Sequence, residues 1–524
     1  MEFSFDKAFA PPAIEWAVIL PILIVIGTGI VTLILEMFHP KRNNNLIVGV
    51  GIVGLATAGY FAMQQYAQPV TETFGGMVVR DSFGTTMQLL ILGATIISML
   101  LSEGYMREKR ISFGEVYPLM LWSASGAMIM ATTRNLLMVF IGLEILSIAL
   151  YVLAGLARKE SNSEESALKY FLLGAFASGF LLFGIAFYYG ATGSLDLRQF
   201  GEALVVDDPS QRGLILFGLG LMLIGFGFKA AFVPFHQWTP DVYQGAPTNV
   251  TAFMAAGSKI AAIAALYRLL DAAQPAKEVW IPALFWIAIL TMTVGNLVAL
   301  VQRDVKRILA YSSIAHAGYI LVGLLAHSQK PGDIGFGTTA YYLLSYGLMT
   351  IGAFAIVTLM AQNGKEGTKL SDFHGLWKRS PVVAVSMVLF MASLIGVPPT
   401  AGFIGKFMIF SDAVSAGLVP LAIVLAVNSA ISVYYYLGIA LAVFVSDEEE
   451  GATAIKSGPA LGAATAICAV GVIAASVFFS PLMKTLVPKE VVEEPMVVAE
   501  PIDAVPTSDG GTRTLGRRGS TETP

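Results

Sequence analysis

The chain has 524 residues, of which 56% are hydrophobic and 13% are charged, with a formal net charge of −4. Soluble domains carry about 25% charged residues, so this composition and a mean hydropathy of +0.71 indicate a polytopic membrane protein. No basic patch indicates nucleic-acid binding, and the single cysteine, Cys468, permits no intrachain disulfide, iron–sulfur cluster or structural zinc site.

The first predicted element is a membrane span, because the N-terminal stretch MEFSFDKAFAPP lacks the positive region of a signal peptide and a long apolar run follows it. A span needs about 20 apolar residues. Fourteen segments meet that requirement: 15–38, 45–65, 82–102, 114–131, 135–157, 166–190, 212–235, 250–271, 279–302, 308–327, 338–362, 380–413, 417–445 and 458–482. The predicted fold class is therefore an all-α polytopic membrane protein with about 14 transmembrane helices.

Two of these segments are interrupted. The seventh reaches Pro234 and continues as HQWTPDVYQGAP, and the twelfth is broken at Pro398 and Pro399. The breaks are five helices apart, and a unit with an odd number of spans has its copy inserted from the opposite face. The sequence therefore predicts two inverted five-helix repeats whose broken helices mark the working sites. The predicted parts are N-terminal helices (1–113), a first repeat (114–271), a second repeat (279–445), a final helix (458–486) and a polar tail (487–524).

The positive-inside rule predicts the orientation of the spans. With the N-terminus outside, sixteen Lys and Arg residues fall on the cytoplasmic side, eight fall on the external side, three lie in the membrane and five lie near the C-terminus. This bias predicts a bacterial inner-membrane protein with both termini in the periplasm. Arg303, Lys306 and Arg307 are interpreted as cytoplasmic anchors. The tail, rich in Pro, Gly, Ser and Thr, is predicted to be disordered.

Four charged residues lie inside apolar segments: Glu144, Lys229, Lys259 and Lys406. A charge at the bilayer centre costs at least ~2.5–3.5 kcal/mol on insertion scales, so these residues are expected to be functional. Lys259 lies near the middle of its segment, ~13 Å from either end. That is a long reach for the alternative, a side chain that extends to the lipid headgroups. Lysines and a glutamate inside a membrane can exchange protons and pair with each other.

Glu144 and Lys229 are predicted partners. A lysine beside Glu144 would let both groups be charged, whereas the alternative for Glu144 is a protonated or hydrogen-bonded packing residue. Lys229 stands five residues before Pro234, and its alternative is a side chain that reaches the headgroups from a helix end. The proline frees carbonyl groups of the preceding turn, and free backbone groups at membrane depth need protein or water contacts. The break therefore favours a hydrated polar site.

The remaining candidates are Lys406 and two histidines. Lys406 follows its helix break whereas Lys229 precedes its own, and this reversed order is interpreted as a consequence of the inverted repeat. His236, after the first break, and His316, in the tenth segment, are candidate relays because histidine titrates near neutrality; the alternative is a packed polar side chain. Three other histidines fall in loops or at helix ends and are assigned no role: His39, His327 and His374.

Four stretches carry a family resemblance: RNLLMVFIGLEILSIALYVLAG, FGFKAAFVPFHQWTPDVYQGAPTNVTAFMAAGSK, RDVKRILAYSSIAHAGY and GVPPTAGFIGKF. They resemble the antiporter-like membrane subunits of respiratory complex I, specifically the subunit N type, over the chain up to about residue 485. Lys406 stands where the M type has glutamate, which favours the N type over the M type. The L type has a long lateral helix after its core, and the polar tail found here argues against that type. The polar tail departs from the usual short N-type ending. The resemblance implies discontinuous helices 7 and 12, and proton-translocating roles for Glu144, Lys229, Lys259 and Lys406.

The resemblance implies a proton-translocating module of NADH:quinone oxidoreductase. NADH, FMN, iron–sulfur clusters and quinone would then belong to other subunits, with none bound here, and the expected partners are neighbouring K-type and M-type subunits and the lipid bilayer. In the hypothesised mechanism a switchable Glu144–Lys229 ion pair controls proton release from Lys259 towards Lys406, through water and His316. Three alternatives stay open: a subunit of a multi-subunit cation/proton antiporter, a structural scaffold of the membrane arm, and a small-solute transporter.

Overall fold

The computed structural model describes residues 14–38, 44–66, 68–109, 113–158, 160–205, 208–330, 333–361, 366–445 and 458–487. Its α-helices are α1 (Trp16–Phe38), α2 (Asn45–Gln65), α3 (Ser82–Lys109), α4 (Val116–Ala131), α5 (Leu136–Ala154), α6 (Ser161–Thr192), α7 (Leu197–Leu204), α8 (Pro209–Ala230), α9 (Trp238–Gly245), α10 (Thr248–Phe253), α11 (Lys259–Ala272), α12 (Lys277–Ala299), α13 (Val305–Gln329), α14 (Asp333–Leu359), α15 (Leu376–Arg379), α16 (Pro381–Ile395), α17 (Ala401–Ser415), α18 (Val419–Val445), α19 (Pro459–Val477) and α20 (Phe479–Leu486). His39 and the predicted tail beyond Val487 lie outside the described residues.

The predicted all-α membrane fold is confirmed. Among the described residues, twelve helices are long and apolar enough to cross a membrane, and α4 and α16 are shorter apolar helices. The count of fourteen spans stays a prediction. One element was not predicted: a small antiparallel hairpin of β1 (Thr71–Thr73) and β2 (Val78–Arg80) between α2 and α3. Helices suit this chain because a helix satisfies its own backbone groups where no water is available.

The first predicted helix break is present after α8. Ala231 ends the helix in the left-handed conformation, with a φ of 65°. The amide of Phe232 then donates to the carbonyl of Gly227 at 2.7 Å, which closes the final turn. Pro234 follows three residues after Ala231, and α9 begins at Trp238. The chain therefore leaves the helix in an ordered turn whose backbone groups are largely satisfied.

The second break repeats this motif after α16. Gly396 takes the left-handed conformation with a φ of 92°. The amide of Val397 donates to the carbonyl of Ala392 at 2.9 Å. Pro399 again follows three residues after the left-handed residue, and α17 begins at Ala401. The two breaks are the same turn, traversed in the same chain direction.

This correspondence corrects the interpretation of the reversed lysine order. An inverted repeat enters the membrane from the opposite face, but its residues keep their order along the chain. Lys229 precedes the first left-handed residue by two positions, whereas Lys406 follows the second by ten. The two lysines therefore do not occupy equivalent positions, and the reversed order is not a consequence of the repeat.

A second shared motif supports two copies of one plan. Asn135 caps α5 with its side chain, and its backbone forms a β-bridge with Asp196. Asp304 caps α13 in the same way and bridges Lys369. These helices are the fifth and tenth predicted spans, five helices apart, as the predicted repeats require. The boundaries of the repeats stay predictions.

A buried ion pair connects the end of α11 to the residue that follows the hairpin. Both guanidinium amino groups of Arg268 donate to the carboxylate of Asp81 at 2.8 Å, and Arg134 approaches it at 3.3 Å. The side chains of Arg268 and Asp81 are 7% and 11% exposed. Burial alone would raise the pKa of Asp81, but the charge and hydrogen bonds of Arg268 outweigh it and lower this pKa.

We expect Asp81→Asn to lower the stability of the chain by ~3–5 kcal/mol, because it leaves Arg268 buried without its counter-charge. Thermal unfolding in detergent, followed by tryptophan fluorescence, measures the loss. A carboxyl whose folded pKa is depressed stabilises the fold above its unfolded pKa, near ~3.9. The wild-type advantage should therefore disappear only as the pH falls below that value. Asp271→Asn, at an exposed site on α11, is the control, and equal unfolding of the two variants would contradict the prediction.

Candidate functional site

Glu144 and Lys229 reach the same region from two helices. Glu144, on α5, accepts a hydrogen bond from the Ser178 hydroxyl. Lys229, on α8, is 3% exposed and donates to the hydroxyls of Ser147 at 2.6 Å and Tyr170 at 3.1 Å. Among the described residues the two charges form no direct ion pair. Each charge is instead held by hydroxyl groups.

A small cavity of about 10 Å³, enough for about one water molecule, lies beside Lys229. Ser147 and Ser178 line it together with the Lys229 side chain, so a hydrogen-bond partner of each charged group faces the same space. Gly174 and Gly225 on its wall allow close packing, because a Cβ at either position would clash with Tyr151 or Leu181. The predicted partners therefore lie apart, and each is bound to a hydroxyl group that lines the same small cavity.

Lys259 is buried in the middle of the bundle. It is 2% exposed, and its ammonium donates to the carbonyl and, at 2.7 Å, to the hydroxyl of Ser313. The Tyr346 ring lies 4.9 Å from the ammonium, and the Tyr346 hydroxyl donates to the same Ser313 oxygen at 2.7 Å. These contacts point the lysine into the protein, not towards lipid headgroups. A π-helical turn, Met254–Ser258, precedes it, a distortion frequent at functional sites.

His316, on α13, lies among hydroxyl groups to which it is hydrogen-bonded. Its Nδ1 is 2.8 Å from the Tyr342 hydroxyl and its Nε2 is 3.2 Å from the Tyr436 hydroxyl. The Tyr436 hydroxyl in turn bonds Ser312. Both ring nitrogens therefore have partners able to donate or accept a proton.

His316 also connects the surroundings of two lysines. Its ring centre is 5.2 Å from that of Tyr346, against which Lys259 packs. It is 5.3 Å from that of Tyr319, and the ammonium of Lys406 lies 5.0 Å from the Tyr319 ring. The structure thus places His316 between Lys259 and Lys406.

Lys406 binds the backbone at the second helix break. Its ammonium donates to the carbonyls of Leu394 at 2.8 Å and Ile395 at 3.0 Å, and to the Ser429 hydroxyl at 2.9 Å. These carbonyls belong to the last turn of α16, which Gly396 ends. The carbonyl end of a helix attracts positive charge, so the break supplies the polar site expected beside a lysine.

Not every candidate joins this chain of contacts. His236 is partly buried in the first break, and its Nδ1 has no hydrogen-bond partner among the described residues. No side-chain hydrogen bond among those residues connects it to Lys229 or Lys259. The structure therefore brings His316, but not His236, to the lysines. Pro234, Pro398 and Pro399 lie exposed at the breaks.

The sequence analysis missed the hydroxyl residues that hold the charges. Serines and tyrosines in apolar helices are common, and single positions such as Ser313 and Tyr346 give no signal of a shared partner. Lys306, interpreted as a cytoplasmic anchor, also has a partner that the sequence analysis missed. Its side chain is 1% exposed and pairs with Glu366 at 2.8 Å.

A profile of the family described as "NADH:quinone oxidoreductase/Mrp antiporter, TM" matches residues 133–432. A NADH-quinone oxidoreductase subunit N from Trichlorobacter lovleyi is 44% identical over 434 residues, covering 83% of this chain and 88% of that protein. A subunit N from Herpetosiphon aurantiacus is 42% identical over 498 residues, covering 92% and 99%. The chain belongs to the subunit N family.

Solved structures agree with membership of the subunit N family. A chain of respiratory complex I from Thermus thermophilus is 36% identical with a TM-score of 0.75, and the match covers 89% of this chain and 99% of that one. A chain of the Mrp complex from Dietzia is 21% identical with a TM-score of 0.76, covering 90% and 96%. The second likeness shows that the fold is shared with antiporter subunits.

Proposed function

We propose that this subunit N homologue carries protons in the membrane arm of a NADH-quinone oxidoreductase, driven by quinone reduction in other subunits. Glu144, Lys229, Lys259 and Lys406 are the proton-carrying groups. The observation that carries the proposal is the position of His316 between the two hydrogen-bonded lysine sites. A structural scaffold does not require three buried lysines, since the burial of each in a membrane is energetically unfavourable.

The separated Glu144–Lys229 pair supplies the switch. Glu144 and Ser147 lie one helical turn apart on α5, so a change of side-chain rotamer can move Lys229 from the serine to the carboxylate. When Lys229 pairs with Glu144, its charge is neutralised. When it returns to Ser147, its positive charge acts on Lys259, and like-charge repulsion favours proton release there.

The released proton then moves laterally. The hydroxyls of Ser313 and Tyr346 contact Lys259 and form the first step. His316, with hydroxyl partners on both ring nitrogens, accepts and passes on the proton. Lys406 is the recipient, and the carbonyls of α16 stabilise its protonated form. Its position beside a helix break gives it a polar surrounding.

The other parts of the complex follow from this role. We assign NADH, FMN, iron–sulfur clusters and quinone to other subunits, because the single cysteine, Cys468, cannot hold a cluster alone. The partners are membrane-arm subunits, with K-type and M-type neighbours, and the lipid bilayer. We place the chain in a bacterial inner membrane with both termini in the periplasm, on the two-to-one bias of basic residues.

We expect Lys406→Met to lower proton pumping by at least ~10-fold, because general acid–base steps contribute ~10²–10⁴-fold. The purified complex is reconstituted in vesicles, where quinone reduction and proton uptake are measured together. Lys378→Met, at an exposed site on α15, is the matched control and should behave as wild type. Assembled Lys406→Met complex that pumps normally would support the scaffold alternative. Pumping that requires sodium or potassium would support the cation antiporter.

A further inference from the structure

A second charged cluster lies outside the site described above. The carboxylate of Glu366 accepts hydrogen bonds from the hydroxyl of Tyr105 at 2.6 Å, the hydroxyl of Thr248 at 2.9 Å and the ammonium of Lys306 at 2.8 Å. Lys306 also donates to the carbonyl of Ala246 at 2.7 Å. The side chain of Lys306 is 1% exposed and that of Glu366 is 14% exposed, so Lys306 is enclosed and Glu366 is the more accessible partner.

This cluster lies at the start of the two helices that meet at Lys259. Lys306 is in the first turn of α13, which also carries Ser313, the acceptor for Lys259. Ser313 lies seven positions after Lys306, which corresponds to a rise of ~10 Å. Thr248 is the first residue of α10, and the same helical run continues into Lys259. The ion pair therefore lies about two turns along α13 from the contact between Ser313 and the buried ammonium of Lys259.

Polar groups lie between the ion pair and Lys259, and they mark a candidate path for protons. Thr251, one turn beyond Thr248, donates its hydroxyl to the Tyr243 carbonyl at 3.1 Å. The Tyr243 hydroxyl faces Ser313, whose own hydroxyl binds Lys259 at 2.7 Å. Hydroxyl groups both donate and accept, so they pass protons between neighbours.

We propose that Glu366 and Lys306 form a gate for proton uptake. While they are paired the path is closed. When they separate, Glu366 takes a proton from the aqueous face predicted to be cytoplasmic and passes it along the hydroxyl groups to neutral Lys259. This inference rests on the proposed function, since it supplies the protons that Lys259 releases.

The charge balance at Glu366 explains how such a gate closes. Burial alone would raise the pKa of Glu366, but the charge of Lys306, hydrogen bonds from Lys306 and Tyr105, and the charge of Lys109 lower this pKa to about 2. A carboxylate held in this way carries no proton near neutral pH. Withdrawal of Lys306 leaves the carboxyl in a largely buried place that favours its neutral, loaded form.

A purely structural clamp is the competing explanation, and energetics separate the two. Replacing a buried ion pair by apolar residues of similar volume is often neutral or stabilising, whereas removing one partner is costly. A clamp would therefore tolerate the double variant Glu366→Met/Lys306→Met. A gate would not, since methionine carries no proton.

The test uses the intact complex in vesicles. The double variant should assemble with wild-type thermal stability but lose at least ~10-fold in pumping and quinone reduction. Formate, a small weak acid that delivers protons without the gate, should restore part of the loss. Arg307→Met is the matched control, because Arg307 lies one residue on and pairs with Asp241 at 2.8 Å, outside the cluster. It should keep wild-type turnover.

Wild-type turnover of the double variant, or a loss that formate does not restore, would overturn the gate. If the double variant does not assemble, Glu366→Gln, which keeps the shape of the side chain, is measured in the same assay. Its turnover and the restoration of that turnover by formate are then the two criteria. Lys259→Met separates this failure from that of the proposed function, because formate cannot replace the missing proton acceptor. If activity requires Lys259 but not Glu366, the gate proposal is rejected and the proposed function stands.

Discussion

Replacing Lys259 by methionine is expected to lower proton pumping and coupled quinone reduction by more than ~100-fold, within the range of general acid–base steps. Methionine has nearly the volume of lysine, so the packing of a side chain that is 2% exposed is preserved. The ammonium is lost, and with it the exchangeable proton, the positive charge and the hydrogen bonds to Ser313. Coupled assays on vesicles that contain the intact complex measure both activities.

Lys259→Arg separates charge from proton exchange at the same position. Arginine keeps the positive charge but does not deprotonate in proteins. If Lys259 carries a proton, the arginine variant should assemble and stay inactive. If Lys259 only holds α10 and α11 against α13 through Ser313, arginine should restore activity. Pumping by either variant at the wild-type level would contradict the proposed function.

A double-mutant cycle is expected to show that Glu144 and Lys229 act as a unit. Glu144→Gln and Lys229→Met should each lower pumping by at least ~10-fold, as the switch loses one of its two charges. The double variant should be no worse than the poorer single variant, because groups that act as a unit give non-additive losses.

Ser178→Ala is the control for this cycle. It removes the hydroxyl that binds Glu144 but leaves both charges in place, so its effect should be much smaller. The measurement is proton uptake per quinone reduced, in assembled complexes. Losses of Glu144→Gln and Lys229→Met that add independently, or single variants with wild-type pumping, would show that the two residues do not form a switch.

Much of the fold was predictable because a membrane limits the choices. Apolar segments of sufficient length have to be helices, since only a helix satisfies its own backbone groups in lipid. The two breaks were predictable from Pro234 and from Pro398–Pro399, since proline cannot continue a helix interior. The hairpin at residues 71–80 was not predicted, because its strands have only three residues each.

The candidate site was predictable only in part. A charge inside an apolar segment is easy to recognise because its insertion into a membrane is unfavourable. Glu144 and the three lysines were therefore found. Their partners were not found, because Ser147, Ser313 and Ser429 are ordinary residues until folding brings a lysine to them. A similar limit applies to Lys306. Its partner, Glu366, is sixty residues away and leaves no local pattern.

The sequence by itself determined the membrane class, the helices and breaks, and the identity of the buried charges, because hydropathy and proline act locally. The tertiary structure decided which charges meet. It held Glu144 and Lys229 on separate serine hydroxyls, placed His316 between Lys259 and Lys406, and left His236 without a contact to the lysines. It also showed that the two broken helices share one turn while their lysines differ in position. Such contacts depend on distances between remote helices, which no local pattern specifies.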